Sequence, residues 1–279
     1  MKTIISAIFC LICLCSTFAL PINVDSIFLW GNQPDSIPGI FGKGLISVED
    51  RYEYGVAISP GYDEIFYTAT QPGDGLMVMR KNDNGTWQAP VTANLRRDNS
   101  PEQEAFYTPD GKKLFFSSDV NDTTRLWYSV KEKTGWSAAK ILESPVNDNW
   151  VFWATFTGSN TMYYTNISAF KIYRSDLDDG IYKEVAYSGI SFGIHPSVAK
   201  DESYILFDYK GDIYISFKDE NNIWMDPVKP GELINTSYTE SCPSLSPDER
   251  YIFFSRYNDL NGKSDIYRVR SSMIVNSRS

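Results

Sequence analysis

Beyond its first nineteen residues the chain has one cysteine, Cys242, and along its whole length one histidine, His195. The other cysteines, Cys10, Cys13 and Cys15, fall in an apolar N-terminal stretch. A lone thiol excludes an internal disulfide framework in the remainder, so stability must come from a large core, which a chain of 279 residues can supply. Cys242 itself reads as a buried, inert thiol. A lone imidazole excludes a multi-histidine zinc or manganese site, and no metal or cofactor is indicated. Basic charge is also scarce: 26 Lys and Arg stand against 35 Asp and Glu, a net charge of −9. With no basic stripe, nucleic acid and anionic membrane surfaces drop out as partners. There is no P-loop, no dinucleotide fingerprint and no G-x-S-x-G elbow, so a serine hydrolase with His195 as its base has little support.

Long apolar runs are confined to the N-terminus. Met1-Lys2 carries one positive charge and Ile4 to Ala19 is apolar and small, the pattern of a secretory signal. Thr17 and Ala19 provide small residues at −3 and −1, so cleavage is expected after Ala19, giving a signal peptide of residues 1–19. The alternative, a retained signal anchor, is weakened by a run that is short for a membrane span. A secreted monomer with no stable membrane insertion is expected. Four N-glycosylation sequons begin at Asn84, Asn121, Asn166 and Asn235.

Aromatic residues are abundant, at 15%, and they recur with a period. A small residue, Pro, and Asp or Gly precede a β-branched and aromatic run at Ser59-Pro60-Gly61, Thr108-Pro109-Asp110-Gly111 and Ser246-Pro247-Asp248. Degenerate copies stand at Thr157-Gly158 and Lys200-Asp201. Counted from Pro60, Pro109, Gly158, Lys200 and Pro247, the period is that of a four-stranded propeller blade. Pro presets φ for the turn, Asp bonds its own backbone, and the aromatic run suits a buried strand. Each copy continues with a third strand, such as Asp212-Ile213-Tyr214 or Asp265-Ile266-Tyr267. An outer strand then opens on an aromatic, such as Trp87 or Trp136.

These units predict an all-β, five-bladed propeller in one domain, residues 20–279, with blades near 49–98, 99–147, 148–189, 190–236 and 237–270. The fifth copy lacks its outer strand. Residues 37–46 precede the first copy where an outer strand would lie, so they are expected to complete the last blade and close the ring, removing free sheet edges. The Ser/Thr-Pro-Asp-Gly turns, the aromatic strands, the Asp-Ile-Tyr strands and the Trp-x-x-Pro outer strands together resemble the TolB-type, WD-repeat-like propeller family. That resemblance implies a platform for binding proteins or peptides and fixes no chemistry.

In a propeller the first strand of each blade lines the central channel. Strict alternation from the turn anchors puts Glu53, Glu102 and Glu240 (seven back) on one side with Glu104, Trp153, His195 and Cys242 (five back). These seven residues are the expected channel mouth. Facing carboxylates there could act as acid and base on a glycoside or hold a cation; the plain alternative is a solvated rim. Asn121, Asn166 and Asn235 fall in loops on the same face and Asn84 on the opposite one, so glycans would narrow the mouth to a small ligand. Two functions follow: an extracellular binding module for a saccharide, peptide or small molecule, or a glycoside hydrolase or lyase acting on an extracellular saccharide.

Overall fold

The computed structural model describes residues 36–70, 75–183 and 185–275. The expected signal peptide lies outside the described residues. A short 3-10 turn, Val146–Asp148, and a four-residue helix, Ser272–Val275, are the helical pieces among them; the rest of the regular structure is strand. None of the described helices is long and apolar enough to cross a membrane.

Five antiparallel meanders follow one another. The first comprises Tyr52–Ile58, Glu64–Thr70, Gly75–Arg80 and Val91–Thr92. The second comprises Glu102–Tyr107, Lys113–Val120, Thr123–Val130 and Lys140–Ile141. The third, Val151–Phe156, Met162–Asn166, Lys171–Ser175 and Ala186–Tyr187, carries an extra hairpin, Leu177–Asp178 with Ile181–Tyr182. The fourth has Ile194–Val198, Tyr204–Tyr209 and Asp212–Phe217, with a single bridge from Ile215 to Val228 in the outer position. The fifth has Thr239–Leu245, Tyr251–Asn258 and Lys263–Arg270. Its outer partner is the N-terminal pair Gly39–Ile40, with Gly39 opposite Arg268 and Ile40 opposite Tyr267.

The degenerate repeats fold like the others because the backbone bond across the turn does not need Pro or Asp. Ser59, Thr108 and Ser246 donate their amides to the carbonyls of Glu64, Lys113 and Tyr251, and Ala199 does the same to Tyr204. Thr157 closes a turn one residue shorter, on Thr161. In four of the five turns a hydroxyl also accepts a backbone N–H: Ser59 from Glu64, Thr108 from Lys113, Thr157 from Thr161 and Ser246 from Tyr251.

The core is divided among the joints between units. Second-strand residues alternate between neighbours, as a period of two requires. Phe66 packs with Leu114 and Phe116 of the second unit, while Phe115 packs with Met162 and Tyr164 of the third. Tyr163 joins Ile205 and Phe207, and Leu206 joins Ile252 and Phe254. Finally Phe253 joins Ile65 and Tyr67, so the last unit packs on the first, with Phe41 and Ile46 filling the same joint. Burial of one such aliphatic or aromatic side chain contributes about 1.5–3 kcal/mol, and every second strand supplies several.

Candidate functional site

Each first strand carries a β-bulge at the same place. Register with the second strand shifts between Tyr54 and Ala57, Gln103 and Phe106, Phe152 and Ala154, Ile194 and Ser197, and Ser241 and Ser244. At each bulge one residue is left-handed: Gly55 (φ 63°), Glu104 (58°), Trp153 (55°), His195 (52°) and Cys242 (56°). Such a conformation is uncommon outside glycine. It is held in place from the preceding unit. Glu104 N donates to Thr68 Oγ1 (2.9 Å), Trp153 N to Ser117 Oγ (3.2 Å), His195 N to Thr165 Oγ1 (3.0 Å) and Cys242 N to Asp208 Oδ1 (2.8 Å).

The bulge inserts one residue and so breaks the strict alternation. The seven predicted mouth residues therefore separate into two groups. Glu104, Trp153, His195 and Cys242 come together. The Trp153 ring is fully buried, stands edge-on to His195 at 4.7 Å and to Phe106 at 4.6 Å, and donates Nε1–H to Pro196 O at 2.9 Å. A Cβ on Gly55 would meet the same indole at 3.2 Å, which accounts for glycine in the first unit. Glu53, Glu102 and Glu240 instead turn back into their own loops and are buried. Glu53 accepts from Arg51 Nε (2.5 Å) and Val48 N (3.2 Å), and Glu102 from Arg96 N (2.5 Å). Glu240 accepts from Thr236 N and Oγ1 and from Arg256 Nε (2.7 Å). Burial pushes the Glu53 carboxyl up to about 7 against the pull of Arg51. These three bind loops to strands. The half-buried residues of these strand starts sit one place further along: Tyr54, Gln103, Phe152, Ile194 and Ser241. Tyr54 donates its hydroxyl proton to Gln103 Oε1 at 2.9 Å.

Sequence reasoning missed Asp208. It occupies the position held by Thr68, Ser117, Thr165 and Ser255 in the other four second strands, a hydroxyl series in which one carboxylate is the visible exception. Asp208 is buried, and its Oδ1 lies 2.7 Å from His195 Nδ1. Burial lowers the His195 pKa, but the Asp208 carboxylate overrides it and holds the imidazole well above its usual value. Burial pushes the Cys242 thiol up, with His195 pulling it back. Glu104 is likewise raised by burial and partly restrained by His195. Ligand atoms of His195, Asp208 and Cys242 lie within 4.8 Å of one another.

Two hollows flank this layer. At the turn end of the first strands a narrow funnel open to solvent is lined by all five units, including Pro60, Pro109, Thr155, Lys200 and Pro247. Its Lys200 ammonium is bound to Pro247 O at 2.5 Å, leaving a lining of aliphatic, aromatic and hydroxyl groups. At the mouth end, between the fifth and first units, a hollow open to solvent gathers Asp50, Tyr238, Arg256, Asn258 and Asp265. Burial raises the Asp265 carboxyl. Among the described residues the exposed aromatics are Trp150, Phe170, Tyr187 and Tyr238; all but Tyr187 lie in loops of the mouth face. The sequons also divide. Asn84 and Asn121 are exposed. Asn166 is 3% exposed and accepts from Ala169 N. Asn235 clamps the third strand of its unit, donating to Ile213 O (2.9 Å) and accepting from Ile213 N (2.8 Å).

No protein-family model matches the chain, and no curated protein sequence does. Solved structures do match, at low identity. TolB from Acinetobacter baumannii is 16% identical with a TM-score of 0.50, over 79% of this chain and 55% of that one. A gluconolactonase from Xanthomonas campestris is 10% identical with a TM-score of 0.51, over 84% of this chain and 94% of that one. A GH43 endo-arabinanase from Bacillus licheniformis is 12% identical with a TM-score of 0.54, over 80% and 95%. This chain thus spans little more than half of the TolB length. The likeness is one of fold: all-β, with four-stranded antiparallel sheets of the propeller type, in a set that includes both a TolB protein and enzymes.

Proposed function

We propose that the chain is a secreted five-bladed propeller, its ring closed by the strand at Gly39–Ile40, that binds an extracellular saccharide on its mouth face. The carrying observation is the hollow between the fifth and first units, where the exposed Tyr238 ring stands beside Asp50, Asn258 and Asp265. An aromatic face with a few convergent polar groups suits a sugar, whose ring offers an apolar face and a hydroxyl edge. Trp150 and Phe170 extend the aromatic character of the same face. Packing of Phe253 against Ile65 and Tyr67 supports ring closure, and the apolar N-terminal stretch supports export.

Hydrolysis is the weaker reading. Three of the four glutamates in the expected mouth have oxygens engaged by loop amides, and a glycosidase requires two carboxyl groups facing a bound sugar. Incubating the secreted protein with a panel of polysaccharides, glycans and peptides, and scoring both retention and released product, tests this. Retention without product fits the binding module. Product release shows an enzyme, and retention of peptides alone shows a peptide platform.

A further inference from the structure

The layer beneath the mouth contains more polar chemistry than the fold requires. At the bulges the structural task is to give a left-handed residue's amide an acceptor. Thr68, Ser117 and Thr165 perform it with a hydroxyl. Only the fourth unit uses a carboxylate, and a buried carboxylate is costly unless something compensates it. The same neighbourhood holds the chain's single histidine and the single cysteine beyond residue 15, on adjacent units and at equivalent bulge positions. A further buried carboxylate joins them: Glu104 is 6% exposed and interacts electrostatically with His195, Asp208 and Cys242. Its Oε2 is buried and has no hydrogen-bond partner among the described residues.

We propose that Cys242, His195 and Asp208, with the Glu104 carboxylate beside them, form a binding site for a thiophilic divalent cation of the zinc class. Three donors already lie within 4.8 Å of one another. Bonds of about 2.0–2.3 Å to a tetrahedral centre put donors about 3.3–3.8 Å apart, so the widest separation closes by about 1 Å and the His195 Nδ1–Asp208 Oδ1 contact of 2.7 Å opens as the cation enters. One thiolate, one imidazole and carboxylate oxygen form a borderline-soft set, whereas calcium and magnesium take oxygen alone. The cation would offset the burial of the Asp208 carboxylate, with Glu104 as a neighbouring negative charge. Cys242 is buried in the same apolar cluster as Trp153 and Phe106, so the site is closed and structural, tying the fourth and fifth units together.

The test uses the whole mature chain, stripped with a chelator and titrated with Zn²⁺ alone against a chromophoric competitor, and with Co²⁺ as a spectroscopic substitute. One equivalent of Zn²⁺ per chain is expected, with a thiolate-to-metal charge-transfer band in the Co²⁺ form that Cys242→Ser abolishes. Asp208→Ser restores the hydroxyl used at this position in other units. It is expected to leave the stripped protein's melting temperature near that of the stripped wild type and to weaken Zn²⁺ at least about tenfold. The proposal is overturned by wild-type protein that takes up no stoichiometric Zn²⁺ or shows no thiolate band with Co²⁺. Zn²⁺ affinity unchanged by both substitutions, or equal displacement by Ca²⁺, overturns it as well. The Co²⁺ spectrum needs no variant, so a misfolded Cys242→Ser leaves the test intact.

Discussion

One oxygen of Asp208 serves two units: Oδ1 accepts the Cys242 amide at 2.8 Å and lies 2.7 Å from His195 Nδ1. Losing the acceptor should therefore cost more than losing the charge. Asp208→Ala strands a buried N–H and is expected to destabilise the stripped protein by about 1–3 kcal/mol. Asp208→Ser stays within about 1 kcal/mol of the wild type. Chemical denaturation of both variants checks the order, and equal losses would show that the amide bond is not what holds the bulge.

Gly55 is the bulge residue that Trp153 crowds. A methyl group there meets the indole at 3.2 Å on a backbone with φ of 63°. Gly55→Ala is expected to cost about 1–2 kcal/mol from the left-handed backbone alone, with the contact adding to it. A melting curve unchanged from the wild type would contradict the packing of Trp153 against the first unit.

Glu240 is fully buried against Arg256 and the Thr236 loop. Glu240→Ala leaves the guanidinium uncompensated and is expected to cost about 3–5 kcal/mol. Thermal unfolding measures it. The loop role predicts that a folded Glu240→Gln protein retains its ligand as well as the wild type.

Asp248 links the last turn to acid stability. Burial raises its carboxyl, but bonds from Ser246, Arg250 and Tyr62 outweigh this and hold it at about 2, below its ordinary 3.8. A depressed folded value stabilises the fold above pH 3.8 and loses its effect as pH falls towards 2. Asp248→Asn should thus be less stable than the wild type at pH 6, with the gap narrowing below pH 4. A gap constant with pH, followed by denaturant titration, would remove Asp248 as the source.

Exposure decides which sequons carry glycan in secreted protein. Asn84 and Asn121 are open, whereas Asn166 is buried and Asn235 commits its amide to Ile213. Glycopeptide mass spectrometry is expected to find glycan at the first two and none at the others. Full occupancy at Asn235 would show that its clamp on Ile213 is dispensable.

The strand order was legible in the sequence because turn chemistry and aromatic runs are local. Even the pairing of Gly39–Ile40 with the last strand followed from a missing outer strand and an unassigned N-terminal segment. The site was half legible. Counting from the turns grouped Glu104, Trp153, His195 and Cys242 at the channel mouth; they do come together, but Glu104, Trp153 and Cys242 are buried. It misplaced Glu53, Glu102 and Glu240, because a bulge adds a residue without altering the hydrophobic pattern. The same bulge hid Tyr54 and Gln103, which are the half-buried residues there. Asp208 had a signal, a lone acid in a series of hydroxyls, but its partners in space, His195 and Cys242, are 13 and 34 residues away.

Retention of oligosaccharides by immobilised protein tests the binding function most directly, comparing wild type with Tyr238→Ala and Asp265→Asn. Wild-type protein is expected to retain at least one saccharide without releasing product. Each substitution should weaken retention at least about tenfold, the loss of roughly 1.4 kcal/mol of contact. Retention that survives both substitutions, or saccharide cleaved by the wild type, would contradict binding in the hollow between the fifth and first units.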